Sequence, residues 1–86
     1  MTINRTAKVK SLEIARYDGD DCIIIIDDNY NYFFDECCYC VYDILSDTAE
    51  EFPYSKWDEY SRPAAYEKAA RFYNSLVPDA DAIPLF

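Results

Sequence analysis

The sequence predicts a small α+β domain, in which an antiparallel sheet of two or three strands is covered on one face by two helices. A β-branched run at residues 22–27 predicts the sheet, and it follows a turn dipeptide, Asp18-Gly19. An apolar repeat of helical period at residues 35–46 and an alanine-rich run at residues 62–76 predict the helices. Strand signals precede helix signals, without βαβ alternation. A chain of 86 residues builds one core, so residues 1–86 are expected to form a single domain.

The first strand is predicted at residues 8–17, where apolar and charged side chains mix and β-branched residues favour an extended chain. Gly19, the only glycine of the protein, follows Asp18. The Asp-Gly dipeptide tolerates the positive φ of a tight hairpin turn. A hairpin is therefore expected at this point.

The central strand is predicted at residues 22–27, because a continuous β-branched run that ends at aspartate is typical of a strand buried on both faces. Asp28 and Asn29 predict a second turn, and residues 30–34 a third short strand. Under this interpretation the aspartates lie at the two tips of a hairpin.

The first helix is predicted at residues 35–46 from apolar side chains spaced i, i+3, i+4, i+7 and i+11. These are Phe34, Cys37, Cys38, Val41 and Leu45. A strand is the competing interpretation, since cysteine, tyrosine, phenylalanine and valine all favour strands.

A connector is predicted at residues 47–60, because Pro53 stops any helix that begins there. Ser61 is expected to cap the second helix and Pro63 to lie in its first turn. The helix itself is predicted at residues 62–76.

The charge of the chain is concentrated. The net charge is −9, yet residues 17–60 carry thirteen carboxylates against one cation, Lys56, a local charge of −12. Mutual repulsion destabilises a compact state, so folding alone does not explain this concentration. Nucleic acids and anionic membranes repel such a chain, which excludes both as direct ligands. A basic protein surface is the expected partner, although a solvated acidic face is the alternative.

The chain is expected to be cytoplasmic. No apolar run approaches the roughly 20 residues that span a bilayer, and the beginning of the sequence lacks the apolar segment of a signal peptide.

The cysteines are predicted to be small buried hydrophobic residues, with no cofactor. They are Cys22, Cys37, Cys38 and Cys40. The spacing of Cys37 and Cys40 leaves a metal or redox module as an alternative.

Catalysis is not expected. The chain has no histidine and one glycine, which excludes Ser/His or Cys/His nucleophile pairs and glycine-rich phosphate loops.

The predicted partner-binding residues are acidic side chains with interspersed tyrosines. On the predicted helix, positions i, i+4, i+8 and i+12 form a row with a spacing of about 6 Å, a scale comparable with the phosphates of one DNA strand. The row consists of Asp35, Tyr39, Asp43 and Asp47. Tyrosine supplies the stacking and hydrogen bonding found at binding hot spots. The predicted set is Asp18, Asp20, Asp21, Asp27, Asp28, Asp35, Glu36, Asp43 and Asp47, with Tyr30, Tyr32 and Tyr39.

In size, charge and aromatic richness the chain resembles the small acidic proteins that phages and other mobile elements use against bacterial defence. These include anti-CRISPR proteins, anti-restriction proteins and uracil-DNA glycosylase inhibitors. The resemblance implies a non-enzymatic inhibitor that acts as a nucleic-acid mimic on a defence nuclease or CRISPR effector in the cytoplasm of a bacterial host. An immunity protein or antitoxin against a basic toxin is the alternative. Whether the chain is a monomer or a homodimer stays open.

Overall fold

A computed structural model describes residues 10–31 and 36–85. In these residues the chain forms four strands, one α-helix and a short 3₁₀ helix. Their order is β1 (Lys10–Asp18), β2 (Ile23–Asn31), β3 (Glu36–Asp43), β4 (Thr48–Tyr54), α1 (Ser61–Leu76) and the 3₁₀ helix Asp79–Asp81. The strands form one antiparallel sheet in the order β1-β2-β3-β4, and α1 packs across one of its faces. The class is α+β as predicted, but the prediction of a sheet of two or three strands covered by two helices is wrong: the described residues form a sheet of four strands covered by one α-helix.

The run predicted as a central strand does lie inside the sheet, as β2 between β1 and β3. Ile24 and Ile26 are buried in the core that α1 covers, and Ile25 is buried on the opposite face. The predicted turn at Asp28 and Asn29 is wrong, because β2 continues to Asn31. Of the predicted third strand, residues 30 and 31 belong to β2, and residues 32–34 lie outside the described residues.

The predicted helix at residues 35–46 is wrong as well, since its described part forms β3 and the start of the following turn. The side chains follow period two: Cys37, Tyr39 and Val41 are buried in the core beneath α1. The intervening Cys38 and Cys40 are apolar too, so the segment also matched a helical repeat.

The predicted connector at residues 47–60 contains an edge strand, β4. Pro53 ends a helix but is compatible with an edge strand, where the missing N–H faces away from the neighbouring strand. Glu50 and Glu51 are exposed on the same strand. Charged residues and proline together protect an open sheet edge from pairing with another chain.

The helix predicted at residues 62–76 is confirmed as α1. Its buried side chains are small apart from Tyr73, and Ala65, Ala69 and Ala70 let the helix approach the sheet closely. Ser61 does not cap it, because Tyr60 occupies the N-cap position. The Ser61 hydroxyl donates to the carbonyl of Asp58 at 2.6 Å instead and holds the preceding turn.

The chain after α1 returns along the helix. The N–H of Ile83 donates to Oδ1 of Asn74 at 2.7 Å, and Nδ2 of Asn74 donates to the carbonyl of Ile83 at 2.9 Å. Ile83 thereby packs against the core. Among the residues that the structure describes, no helix has the length and apolar character to cross a bilayer.

Gly19 lies in the predicted β1–β2 hairpin, but it does not adopt a positive φ. The position has no room for a side chain, because a Cβ would lie 2.6 Å from Cε2 of Tyr17, whose ring packs against the core. We expect Gly19→Ala to destabilise the fold by about 1 kcal/mol, because the ring must shift out of its packing. Urea unfolding measures this. In a Tyr17→Ala background the same exchange should cost nothing, and an equal cost in both backgrounds would contradict the explanation.

Candidate functional site

Five aspartates gather at one end of the sheet. In an antiparallel meander the β1–β2 and β3–β4 connections lie at the same end, and the hydrogen bond from the N–H of Ile44 to the carbonyl of Ile23, 3.0 Å long, joins the two. Neighbouring strands lie about 4.8 Å apart, so the four strand ends span roughly 15 Å. We call this group the acidic end. It consists of Asp18, Asp20, Asp21, Asp43 and Asp47.

The acidic end has little internal neutralisation. Arg16 reaches it, with Nη1 3.6 Å from Oδ1 of Asp18, but its Nη2 is held closer by Glu13, at 3.0 Å. The hydrogen bond to Glu13 is the main reason that the pKa of Arg16 is raised. Within residues 10–31 and 36–85, no lysine or arginine forms a salt bridge with the other four aspartates. Most of this negative charge is therefore presented to solvent.

Asp43 fixes the shape of the acidic end. Its Oδ1 accepts hydrogen bonds from the N–H groups of Ile23 at 3.2 Å and Leu45 at 3.0 Å, and its Oδ2 accepts one from the Ser46 hydroxyl at 2.9 Å. Desolvation is the largest single influence and raises the pKa of Asp43, but these hydrogen bonds together outweigh it and lower that pKa. Asp43 thus stays ionised. Asp47 closes the same turn in a left-handed conformation, φ 55°, which aspartate tolerates better than most residues.

Asp28 is far from this end and is not available to a partner. It is 3% exposed and lies between the sheet and the start of α1. Nη2 of Arg62 donates to its Oδ2 at 2.7 Å, and the Tyr54 hydroxyl donates to its Oδ1 at 2.6 Å. Desolvation and this hydrogen bond hold the pKa of Tyr54 far above its usual range, so Tyr54 remains a donor. In place of the expected hairpin tip, the structure has an ion pair between the buried carboxylate of Asp28 and the half-exposed side chain of Arg62.

Tyr39 belongs to the same buried network. It is 5% exposed, and its hydroxyl accepts a hydrogen bond from Nε of Arg62 at 3.1 Å. Its ring packs against those of Tyr54 and Tyr66, with centroids 5.1 and 5.4 Å apart. Tyr39 therefore stabilises the junction of sheet and helix and does not face solvent.

Asp27 lies on the sheet face opposite α1 and is 6% exposed. Burial raises its pKa, and hydrogen bonds from the side chains of Asn29, Tyr42 and Ser11 offset only part of that effect. The bond from Nδ2 of Asn29 is the short one, at 2.6 Å. Asp27 is thus a partly desolvated structural carboxylate.

The raised pKa of Asp27 predicts a pH dependence. Because the folded state holds the proton more tightly than the unfolded chain, the stabilising contribution is complete below the unfolded pKa and is lost as the pH rises through the folded pKa. The free energy of unfolding of Asp27→Asn minus that of the parent should therefore be larger at about pH 7 than at about pH 3. Urea unfolding at both values measures this, with Asp20→Asn as the control for a general loss of charge. A stability difference that is larger at about pH 3 than at about pH 7 would contradict the raised pKa of Asp27.

The remaining predicted residues do not join the acidic end. Glu36 begins β3 at the opposite end of the sheet, and Tyr30 is partly buried against the core. Tyr32 and Asp35 lie outside the described residues. Of the predicted residues that the structure describes, the five aspartates of the acidic end come together at one end of the sheet.

The cysteines do not form a common site. Cys37 and Cys40 lie three positions apart on a strand, so Cys37 points into the core and Cys40 to the opposite face. Burial raises the pKa of Cys38, and that of Cys40 to about 11, which keeps both thiols protonated. In the described ranges, no three cysteine, aspartate or glutamate side chains are arranged to hold a metal ion. This geometry does not favour the metal or redox alternative.

Apolar side chains beside the acidic end were missed by the sequence interpretation. Ile44 and Leu45 are 47% and 54% exposed in the β3–β4 turn, and Phe72 and Leu76 are 37% and 41% exposed on α1. Helical spacing aligns Phe72 and Leu76 with Ala65 and Ala69 and therefore predicts that both are buried. The alanine row of α1 already fills the contact with the sheet, and this row is the sequence signal that Phe72 and Leu76 are left exposed.

Comparisons with family models, with characterised proteins and with solved structures found no match to this chain.

Proposed function

We propose that this protein is a non-enzymatic inhibitor that covers a basic, nucleic-acid-binding surface of another protein with its acidic end. The observation that carries the proposal is the gathering of five aspartates at one end of the sheet, where Arg16 is the one cation that forms a salt bridge with them among the described residues. An isolated acidic turn is an ordinary solvated surface. Two turns brought together by the topology form a continuous negative surface.

The charge density of the acidic end resembles that of a nucleic-acid strand. Five carboxylates across roughly 15 Å give one charge per about 3 Å. One strand of B-DNA carries one phosphate per about 3.4 Å of axis. A lysine- and arginine-lined groove that follows a phosphate backbone would therefore meet a similar number of anions per unit length.

Rigidity supports the same function. The hydrogen bonds to Asp43 hold the β3–β4 turn, and the N–H of Gly19 donates to the carbonyl of Cys22 at 2.8 Å in the β1–β2 turn. Carboxylates on ordered turns lose less side-chain and loop entropy on binding than carboxylates on a disordered tail. Charge of this kind accelerates association and makes it sensitive to salt.

The proposed target is a nuclease or CRISPR effector in the cytoplasm of a bacterial host, the class in which a small acidic blocker of a nucleic-acid site has an effect. Asp27, Asp28 and Tyr39 are not part of the proposed surface, since they are buried.

Capture of the target tests the proposal. The immobilised protein is incubated with bacterial lysate at about 50 mM salt and washed at about 500 mM, where screening removes charge-driven contacts. We expect a basic nucleic-acid-binding protein to be retained at low salt and released at high salt. The purified target should then bind either this protein or its own nucleic acid, but not both. Simultaneous binding of the two would refute the inhibitor proposal, and a target without nucleic-acid affinity would favour a toxin-neutralising role.

A further inference from the structure

A cavity of ≈ 290 Å³ opens beside the acidic end, between the last turns of α1 and the sheet. Ile24 and Val41 line it from the sheet, and Phe72 and Leu76 line it from the helix. We call these four residues and the cavity between them the anchor site. Small-molecule pockets measure roughly 300–1,000 Å³. The anchor site is at the lower limit, which suits a single side chain better than a free ligand.

The lining of the cavity combines apolar and acidic side chains. Phe72 and Leu76 remain more than a third exposed although they stand over the core, and the ring of Phe72 is steadied by Phe52, 5.9 Å away between centroids. Asp43 and Glu50 also line the cavity, and none of its lining residues is a lysine or arginine. Apolar contacts with polar groups beside them are typical of protein–protein interfaces.

Single exposed apolar residues on a surface are ordinary and indicate nothing. Here, however, the exposed Ile44 and Leu45 lie in the turn between Asp43 and Ser46, which both line the cavity. Asp47 follows them in the same turn. Apolar groups that converge on a concave site, surrounded by contacts that exclude water, are typical of binding hot spots.

We infer that the anchor site receives one large apolar side chain of the basic partner, flanked there by lysine or arginine residues that meet Asp43, Glu50 and Asp47. The inference rests on the proposed function and specifies its partner surface. A purely phosphate-binding groove is lined by cations alone, whereas this partner surface also presents an apolar residue. Charge complementarity favours a basic segment of the partner, and the cavity favours one large apolar residue at the centre of that segment.

The inference has a consequence for salt dependence. Screening weakens the contacts of the acidic end, but burial of an apolar side chain is not screened. Salt should therefore weaken the binding of every basic partner, but the difference in affinity between a partner with the apolar side chain and one without it should persist, and that difference should depend on Leu76 and not on Asp20 or Asp21.

The test uses short fluorescent peptides of alternating lysine and arginine that carry one central phenylalanine, leucine or alanine. Anisotropy titration at low salt should show the phenylalanine or leucine peptide binding about 10-fold more tightly than the alanine peptide. Leu76→Gln, a substitution at an exposed position in the last turn of α1, should abolish that preference. Leu12→Gln is the matched control, since Leu12 is 61% exposed on β1. It should keep the preference.

Three results would overturn the inference, and they have different meanings. If all peptides bind in a salt-sensitive way but without a preference for phenylalanine or leucine over alanine, the anchor site is refuted and the proposed function is not. If none of the peptides shows salt-sensitive binding, the electrostatic basis of both the proposed function and the anchor site is refuted. A parent chain that sediments as a dimer, with Leu76→Gln as a monomer, assigns the cavity to a second copy of the chain.

Discussion

Replacing Arg62 by methionine is expected to destabilise the fold by about 2–3 kcal/mol, because it leaves the carboxylate of Asp28 buried without its cation. Asp28 is 3% exposed and receives hydrogen bonds from Arg62 and Tyr54. Breaking a fully buried pair costs about 3–5 kcal/mol. The Arg62 side chain is 48% exposed, so water will solvate part of the abandoned carboxylate and reduce the cost.

The measurement is urea unfolding, with the midpoint lowered and the slope unchanged. For a domain of this size the melting temperature should fall by about 4–8 °C per kcal/mol. Arg71→Met is the matched control, since Arg71 forms an exposed salt bridge with Glu67 at 3.0 Å. It should change stability by less than about 0.5 kcal/mol.

A second variant separates the ion pair from simple loss of packing. In the Arg62→Met background, Asp28→Asn removes the stranded charge and should recover part of the lost stability. If Arg62→Met were as mild as the control, or if Asp28→Asn lowered stability further, Asp28 would not depend on Arg62 as the structure indicates.

The same ion pair shows where sequence interpretation reached its limit. Local patterns located the hairpin, the buried strand and α1, because each depends on residues close together in the chain. Asp28 looked like a turn residue beside Asn29, while its partner stands 34 positions away in the first turn of α1. A contact of that separation leaves no local signal.

The wrong helix has a different cause. In β3 both faces are partly apolar, with Cys37, Tyr39 and Val41 on one side and Cys38 and Cys40 on the other. When both faces are apolar, a helical repeat and a strand repeat select overlapping positions, and only strand propensity distinguishes them. Here the strand preference of cysteine, tyrosine and valine outweighed the apparent period.

The candidate site was predicted in composition but not in arrangement. A helix would have displayed Asp43 and Asp47 in a row with Tyr39, whereas the strand buries Tyr39 and leaves Asp43 and Asp47 at a turn. The acidic end exists because a second hairpin brings that turn beside Asp20 and Asp21. Sheet topology, which the sequence did not reveal, therefore creates the surface.

Reversing two charges at the acidic end is expected to slow association with the captured target about 10- to 100-fold at low salt. Asp20→Lys combined with Asp21→Lys moves the net charge from −9 to −5, because each exchange adds two units. Both residues are exposed in the β1–β2 turn. The fold should therefore be preserved, which circular dichroism and the melting temperature check.

The matched control makes the same change of net charge elsewhere. Glu59→Lys with Glu67→Lys alters exposed residues of the β4–α1 connection and the outer surface of α1. If position matters, the control should slow association only slightly, because long-range attraction to the whole protein depends on net charge while docking depends on the acidic end. Stopped-flow measurements at about 50 mM and about 300 mM salt should bring the two variants together as screening increases. Equal slowing by both variants at low salt would show that bulk charge, and not the acidic end, attracts the partner.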